Sequence, residues 1–302
     1  MASSIFQAVY AHLPVNTIKK IPGAAYVNGM LWKLFKKSGE SIVDVQGFKM
    51  KLNLEDSGVS RPILMSGIFE PEVTHAFRKH LKAEMTFVDI GANVGYFSLL
   101  ASGIVGPRGR VIAFEPSPAN FLRLSENISI NSITQCVCVQ SAVGASEDKL
   151  ELFLDGENFG NHSLSNKNIP ASTSNSVLVD VVKLDDWWSN FEKNSDGARA
   201  TKIDAIKLDI QGAEALAIQG ARTILERYSP ILFLEFWPEG LRNLGSDPLE
   251  LLHLLNSYGY VTYVAEAGEH AAHLTPEDIL FHCTKKKWGE SFVNLICVKP
   301  SR

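Results

Sequence analysis

The sequence predicts an α/β protein built on a parallel sheet with helices on both faces. Three observations carry this. From Thr86 onward, short apolar runs alternate with helix-compatible segments, which is the rhythm of strand–helix–strand units. Several of the runs, such as Ile231-Leu-Phe-Leu-Glu-Phe236, are apolar almost throughout, as strands covered on both faces require. The first run ends in a glycine turn that feeds straight into a helical stretch, Phe87-Val-Asp-Ile-Gly-Ala-Asn-Val-Gly-Tyr-Phe-Ser98. At 302 residues and 45% hydrophobic, the chain is long enough to bury a large core. No internal repeat or clear linker divides it. We expect an N-terminal helical and hairpin extension over 1–60 and the main domain over 61–302.

In the extension, Ile5–Leu13 and Ala24–Lys37 show apolar residues at helical spacing, with lysines and no acids. A helical cap with a solvated basic face is the expectation, and these helices are the candidate contact for a homo-oligomer. Residues 42–54 alternate around Gln46-Gly47 and predict a hairpin. Ser66-Gly-Ile-Phe-Glu-Pro-Glu72 opens a helix to about Leu81, with Pro71 in its first turn. Glu70 near that start is either a carboxylate favoured by the helix dipole or a site residue.

Thr86–Ile90 is then a strand, and Tyr96–Ser102 begins a helix. Arg110 to Glu115 is a second strand, Ala119–Asn127 a helix, and Cys136–Gln140 a third strand. The rhythm breaks at Leu150–Leu154 and Val177–Val182, two strands of an inserted hairpin. Between them lies the polar loop Asp155–Ser176, which holds His162; loops of this length are usually functional or disordered. Ile203–Ile210 is a buried strand interrupted by Lys207 and Asp209, and Gln211 opens a helix to about Arg227. Ile231–Phe236, Tyr260–Val264 and Phe292–Val298 read as strands and Pro248–Tyr258 as a helix. The segment 190–201 is the candidate mobile loop.

Composition narrows the function. A net charge of −4 gives no general attraction to nucleic acid. The four cysteines form no metal-spaced cluster, and Cys136-x-Cys138 predicts two buried thiols on one strand face. Nothing demands a disulfide, so a reducing, cytoplasmic setting is expected. No apolar run has the length of a membrane span, and the N-terminus lacks an uninterrupted signal-peptide core. The sequons at Asn127 and Asn161 are therefore read as chance matches.

The glycine turn excludes two ligands. Asp89-x-Gly91-x-x-x-Gly95 is not the G-x-G-x-x-G of a dinucleotide site, and the Gly-Lys-Ser/Thr of a phosphate loop is missing. What remains is an acid at the end of the first strand, a glycine turn containing Asn93, and Glu115 ending the second strand, 20 residues after Gly95. That pattern suits a cationic, nucleoside-bearing ligand. Glu115 has acceptor oxygens for both ribose hydroxyls, and Asp89 can meet an ammonium group. S-adenosylmethionine has both.

Asp89-Ile-Gly-Ala-Asn-Val-Gly-Tyr96 resembles motif I of class I methyltransferases in the form used by the FkbM family. The resemblance extends to Gly67-Ile-Phe-Glu70, Phe114-Glu-Pro116, Ala142-Val-Gly144 and Ile206-Lys-Leu-Asp-Ile-Gln-Gly-Ala-Glu214, covering about residues 60–240. Gln211 stands where the family usually has glutamate. The resemblance implies a Rossmann-like three-layer sandwich, its seven-stranded sheet mostly parallel with an antiparallel last strand. It also implies methyl transfer from S-adenosylmethionine, usually to a hydroxyl on a sugar or secondary metabolite. It adds Glu70, Tyr96, Pro116, Ser141 and Ala142 to the cofactor site.

An alcohol acceptor must lose a proton, so a base is sought. Lys207 and Asp209 face the same way along their strand, and Asp209 lies at the sheet edge where such folds bind ligands. Asp209 is also a candidate cofactor contact, and His162 is the other candidate base. Glu235 and Trp237 are candidates for the acceptor wall. Asp209 and Glu235 do not make a complete Mg²⁺ ligand set, so no metal is expected. N-methylation, RNA modification (disfavoured by the lack of a basic patch) and a non-catalytic cofactor-binding partner protein are the alternatives.

Overall fold

The computed structural model describes residues 39–170, 175–194, 202–265, 274–284 and 291–300. The helices expected within 1–37 and residues 195–201 of the expected loop lie outside these. The chain opens with a hairpin, β1 (Glu40–Val45) and β2 (Phe48–Asn53), turning at Gln46-Gly47. Two helices follow, α1 (Ser60–Ser66) and α2 (Pro71–His80). Then come β3 (Thr86–Ile90), α3 (Tyr96–Val105), β4 (Arg110–Phe114), α4 (Pro118–Ile130) and β5 (Cys136–Val139). β6 (Ala142–Gly144), β7 (Asp148–Leu154) and β8 (Asn175–Lys183) lead into α5 (Leu184–Asn194). The chain returns with β9 (Ala205–Leu208), α6 (Glu214–Gly220), α7 (Arg222–Tyr228), β10 (Ile231–Phe236) and α8 (Pro238–Asn243). It closes with α9 (Pro248–Ser257), β11 (Val261–Val264), α10 (Pro276–Thr284) and β12 (Val293–Val298).

The central sheet has seven strands in the order β11-β12-β10-β9-β3-β4-β5. β3, β4, β5, β9 and β10 are parallel, and β12 runs antiparallel to both its neighbours. The architecture is therefore the Rossmann-like one expected. Successive residues of each strand face opposite layers. Phe87, Val111, Ala205 and Phe233 enter the core shared with α2, α3 and the hairpin. Val88, Ile112, Ile206 and Leu232 enter the core beneath α6, α7 and α9. Phe77 of α2 ties the first layer together, with ring centroids 4.8, 5.4 and 5.2 Å from Phe87, Phe97 and Phe233. A second sheet, β6-β8-β7, carries the inserted hairpin beside the first.

The structure adds one helix and corrects three details. The helix expected to open over Ser66–Glu72 is α2, starting at Pro71, and ahead of it stands an unexpected α1, which ends at Gly67 (φ 69°). Asp56 organises α1, its carboxylate accepting from the Gly58, Val59 and Ser60 N–H groups. The helix expected from Gln211 to Arg227 breaks at Gly220-Ala221. There the chain presses on β6, and a Cβ on Gly220 would lie 2.0 Å from the Gly144 carbonyl oxygen. The strand expected over Ile203–Ile210 is pared to Ala205–Leu208, so Asp209 starts the loop above the sheet. Cys136 and Cys138 are half-buried, because β5 is an edge strand.

Candidate active site

The turn after β3 is built by its own backbone. The Gly91 and Ala92 N–H groups both donate to the Phe114 carbonyl (3.0 and 2.9 Å), folding the turn over the end of β4. Gly91 sits at φ 83°, and a Cβ there would lie 2.0 Å from the Asp209 carbonyl oxygen. Only glycine permits both that φ and that approach. Asn93 also holds a left-handed φ of 50°. Its side-chain Oδ1 accepts from the Val94 N–H at 2.8 Å, and its Nδ2 donates to the Phe159 carbonyl at 2.8 Å. Asn120 Nδ2 donates to the same carbonyl at 3.0 Å. The loop after β7 is thus strapped across the turn. Its other anchor is Asp56, whose Oδ1 accepts from the Phe159 N–H at 3.1 Å.

Below the strap lies a cleft of about 870 Å³, lined by Glu70, Asp89, Gly91, Asn93, Tyr96, Glu115, Pro116, Ser141, Ala142, His162, Lys207 and Asp209 among others. One expected contact stays outside: Gly95 is the N-cap of α3 at φ 92°, facing Leu124 rather than the cleft. Tyr96 is buried and shares a 3.2 Å hydrogen bond with Thr74. Glu70 takes the N-cap of α2 at φ 42° without a side-chain capping hydrogen bond, and it lines the cleft.

Two acids line the cleft at the ends of β3 and β4. Glu115 is buried, with Oε2 accepting from the Asn93 N–H (2.8 Å) and Oε1 from the Ser117 N–H (2.9 Å). Each oxygen keeps acceptor capacity for a ribose hydroxyl. Burial pushes its pKa up to about 7 against the opposing pull of those two N–H groups. Asp89 accepts from Ser98 Oγ at 2.6 Å through Oδ2, while its buried Oδ1 has no hydrogen-bond partner among the described residues. Burial raises its pKa too, and the Lys207 charge opposes that rise. An orphaned buried carboxylate oxygen needs a donor. The ammonium group and ribose of S-adenosylmethionine fit this donor-poor pair.

The neighbouring strands supply the other end. Lys207 Nζ donates to Asp209 Oδ2 at 2.7 Å and lies 4.7 Å from the centre of the Phe97 ring. Burial lowers the Lys207 pKa, but the charges of Asp209, Glu70 and Asp89 outweigh it and hold the pKa above its ordinary value, which favours the cation. Gln211 Nε2 donates to Asp209 Oδ1 (2.9 Å) and to Glu235 Oε2 (2.8 Å). Glu235 is pushed well above the usual carboxylate range, first by burial and then by Asp209, Glu214 and Glu70. Trp237 lines the cleft at the N-cap of α8.

His162 Nδ1 accepts from the Asp155 N–H at 3.1 Å, which puts the ring proton on Nε2. In this arrangement it offers the cleft a donor rather than a base, and burial keeps it neutral by lowering its pKa. Among the described residues, no group of three or more His, Cys, Asp or Glu side chains is arranged to hold a metal ion. Nor is any described helix long and apolar enough to cross a membrane.

The sequence reading missed Ser98, Asn120, Asp56 and Asn168. Asn168 ties the strap down, its Nδ2 donating to the Gln211 carbonyl at 2.9 Å. A signal existed for Asp56, an acid just before a helix start. None existed for the others, whose partners are distant in the chain.

Fold and site together define a Rossmann-like methyltransferase architecture. The chain belongs to the FkbM methyltransferase family, whose domain, described as the methyltransferase FkbM domain, matches residues 89–262. It is 25% identical over 148 residues to Methyltransferase 1 of Beauveria bassiana, covering 44% of this chain and 57% of that protein. It is 27% identical over 174 residues to Methyltransferase sdnD of Sordaria araneosa, covering 57% and 56%. The chain thus spans just over half the length of these curated relatives. Among solved structures it is similar to methyltransferase FkbM from Methylobacillus flagellatus, at 18% identity and a TM-score of 0.42, over 78% of this chain and 52% of that one.

Proposed function

We propose that this protein is an S-adenosylmethionine-dependent methyltransferase acting on a hydroxyl oxygen of a small molecule or sugar. One observation carries the reading. Asp89 and Glu115 stand over β3 and β4, while Asp209 and Glu235 stand over the adjacent β9 and β10, all facing one cleft. A cofactor held by the first pair leaves the second pair beside its reactive end.

When bound, the cofactor supplies an electrophilic methyl carbon on a sulfonium. Glu115 holds the ribose and Asp89 the ammonium group. The residues at the other end would receive the acceptor hydroxyl: as the O–CH₃ bond formed and the S–CH₃ bond broke, releasing S-adenosylhomocysteine, the hydroxyl proton would pass to Asp209, which keeps acceptor capacity beyond Lys207 and Gln211. Lys207 stays protonated and balances the charge on Asp209. The strap over Asn93 keeps bulk water from that end of the cleft. The free thiols Cys136, Cys138 and Cys297 suit a reducing compartment such as the cytoplasm.

Calorimetry with S-adenosylmethionine and S-adenosylhomocysteine tests the premise, and binding of neither would sink it. Single-turnover assays with methyl-labelled cofactor against a panel of hydroxylated metabolites and amines then separate three readings. Label on an oxygen supports the proposal, label only on nitrogen replaces it with N-methylation, and binding without transfer replaces it with a cofactor-binding partner protein.

A further inference from the structure

Gln211 is held at both ends. Its backbone adopts a left-handed φ of 52°, unusual for a residue with a side chain. Its carbonyl accepts from Ser163 Oγ and Asn168 Nδ2, each at 2.9 Å, so the strap pins the peptide. Gly212 follows at φ 101°, where a Cβ would lie 2.4 Å from the Gly240 carbonyl oxygen. The side chain is thereby aimed between two acids, its Nε2 reaching Asp209 at 2.9 Å and Glu235 at 2.8 Å. A primary amide has two N–H donors on that nitrogen, and here both are spent on carboxylates.

Two carboxylates that accept from one amide nitrogen are held as a pair, and Lys207 supplies the cation on the Asp209 side. We propose that Gln211 is a positioning residue whose amide bridges Asp209 and Glu235 and, with Lys207 on the other Asp209 oxygen, fixes the direction in which the Asp209 carboxylate meets the acceptor. The proposal rests on the methyltransferase reading for its purpose, but not for its test. The charged groups facing the pair are Lys207 on β9, Glu70 at the start of α2, Asp89 on β3 and Glu214 on α6. Lys207 is the cation among them, and it is already bonded to Asp209. Without the amide, the two carboxylates would lose the donor that they share. A glutamate at 211, the usual residue in the family resemblance, would remove both donors and add a third acid.

The test is carboxyl ¹³C NMR titration of the full chain labelled at Asp and Glu side chains. Glu235→Gln and Asp209→Asn identify the two signals by their loss. In Gln211→Met, a shape-preserving change without donors, the Asp209 and Glu235 midpoints should rise by about one unit or more, because their charged forms lose a hydrogen bond. Gln211→Glu should raise them further. Either variant decides the matter if the other fails to fold, as judged by circular dichroism. Midpoints unmoved in the folded variants would overturn the proposal and reduce Gln211 to packing. The titration needs no cofactor. A chain that binds no S-adenosylmethionine would therefore sink the methyltransferase reading and leave this result standing.

Discussion

The Asn93 N–H donates to Glu115 Oε2 at 2.8 Å, which makes the glycine turn and the acid after β4 one unit. The turn cannot shift without moving the carboxylate, because the Gly91 and Ala92 N–H groups are bonded to the residue just before it. Shape and charge at that end of the cleft are therefore set together.

Glu115→Ala should weaken S-adenosylhomocysteine binding by roughly 10- to 100-fold, as expected when hydrogen bonds to a charged group, worth about 1.5–3 kcal/mol each, are lost. Glu115→Gln, which keeps one carbonyl oxygen, should lose less. Calorimetry on both variants decides it, and wild-type affinity in Glu115→Ala would remove the ribose assignment.

Asp209→Asn should lower turnover by roughly 10²–10⁴, the usual range for a lost general base, while cofactor affinity changes little. Single-turnover transfer from labelled cofactor reads the first quantity and calorimetry the second. An unchanged rate would take Asp209 out of the proton path.

Glu214 carries a pH prediction. It is fully buried, with Oε1 accepting from the Ile210 and Gly212 N–H groups and Oε2 without a hydrogen-bond partner among the described residues. Burial raises its pKa from 4.5 to about 7. A carboxyl raised on folding binds more protons in the native state between those values. Its contribution to stability is thus present below about 4.5 and lost as pH rises through about 7. Glu214→Gln keeps an acceptor for the loop N–H groups and removes the ionisation. It should flatten stability between pH 5 and 8 and gain on the order of 1–3 kcal/mol at the upper end. Urea unfolding across that range checks it, and an unaltered slope would exonerate Glu214.

Gly91→Ala should be severe. Its φ of 83° strains any side chain, and the new Cβ would lie 2.0 Å from the Asp209 carbonyl oxygen. The turn must move off the loop after β9, at a cost of roughly 2 kcal/mol or more, and cofactor binding should fall with it. Chemical unfolding and calorimetry together read both effects. A variant as stable as wild type would mean the turn does not seat on Asp209.

Much of this molecule was legible in its sequence, and the reason is local. Alternation of strand and helix, continuous apolar runs and the spacing of Asp89, Gly91 and Glu115 are short-range patterns, and each dictates a backbone conformation or a strand end. They determined the parallel sheet and the acids at its edge. The tertiary structure decided what those patterns do not encode. The Phe159 carbonyl gathers Asn93, Asn120 and the strap, and Gln211 couples Asp209 to Glu235. These are meetings of residues far apart in the chain, set by sheet order and loop path. The same holds for protonation. The sequence offers Asp89 as a charge for an ammonium group, but its burial and an Oδ1 without a partner among the described residues follow from how the layers close over it. A residue's charge state depends on the solvent it has lost, and only the packed fold determines that.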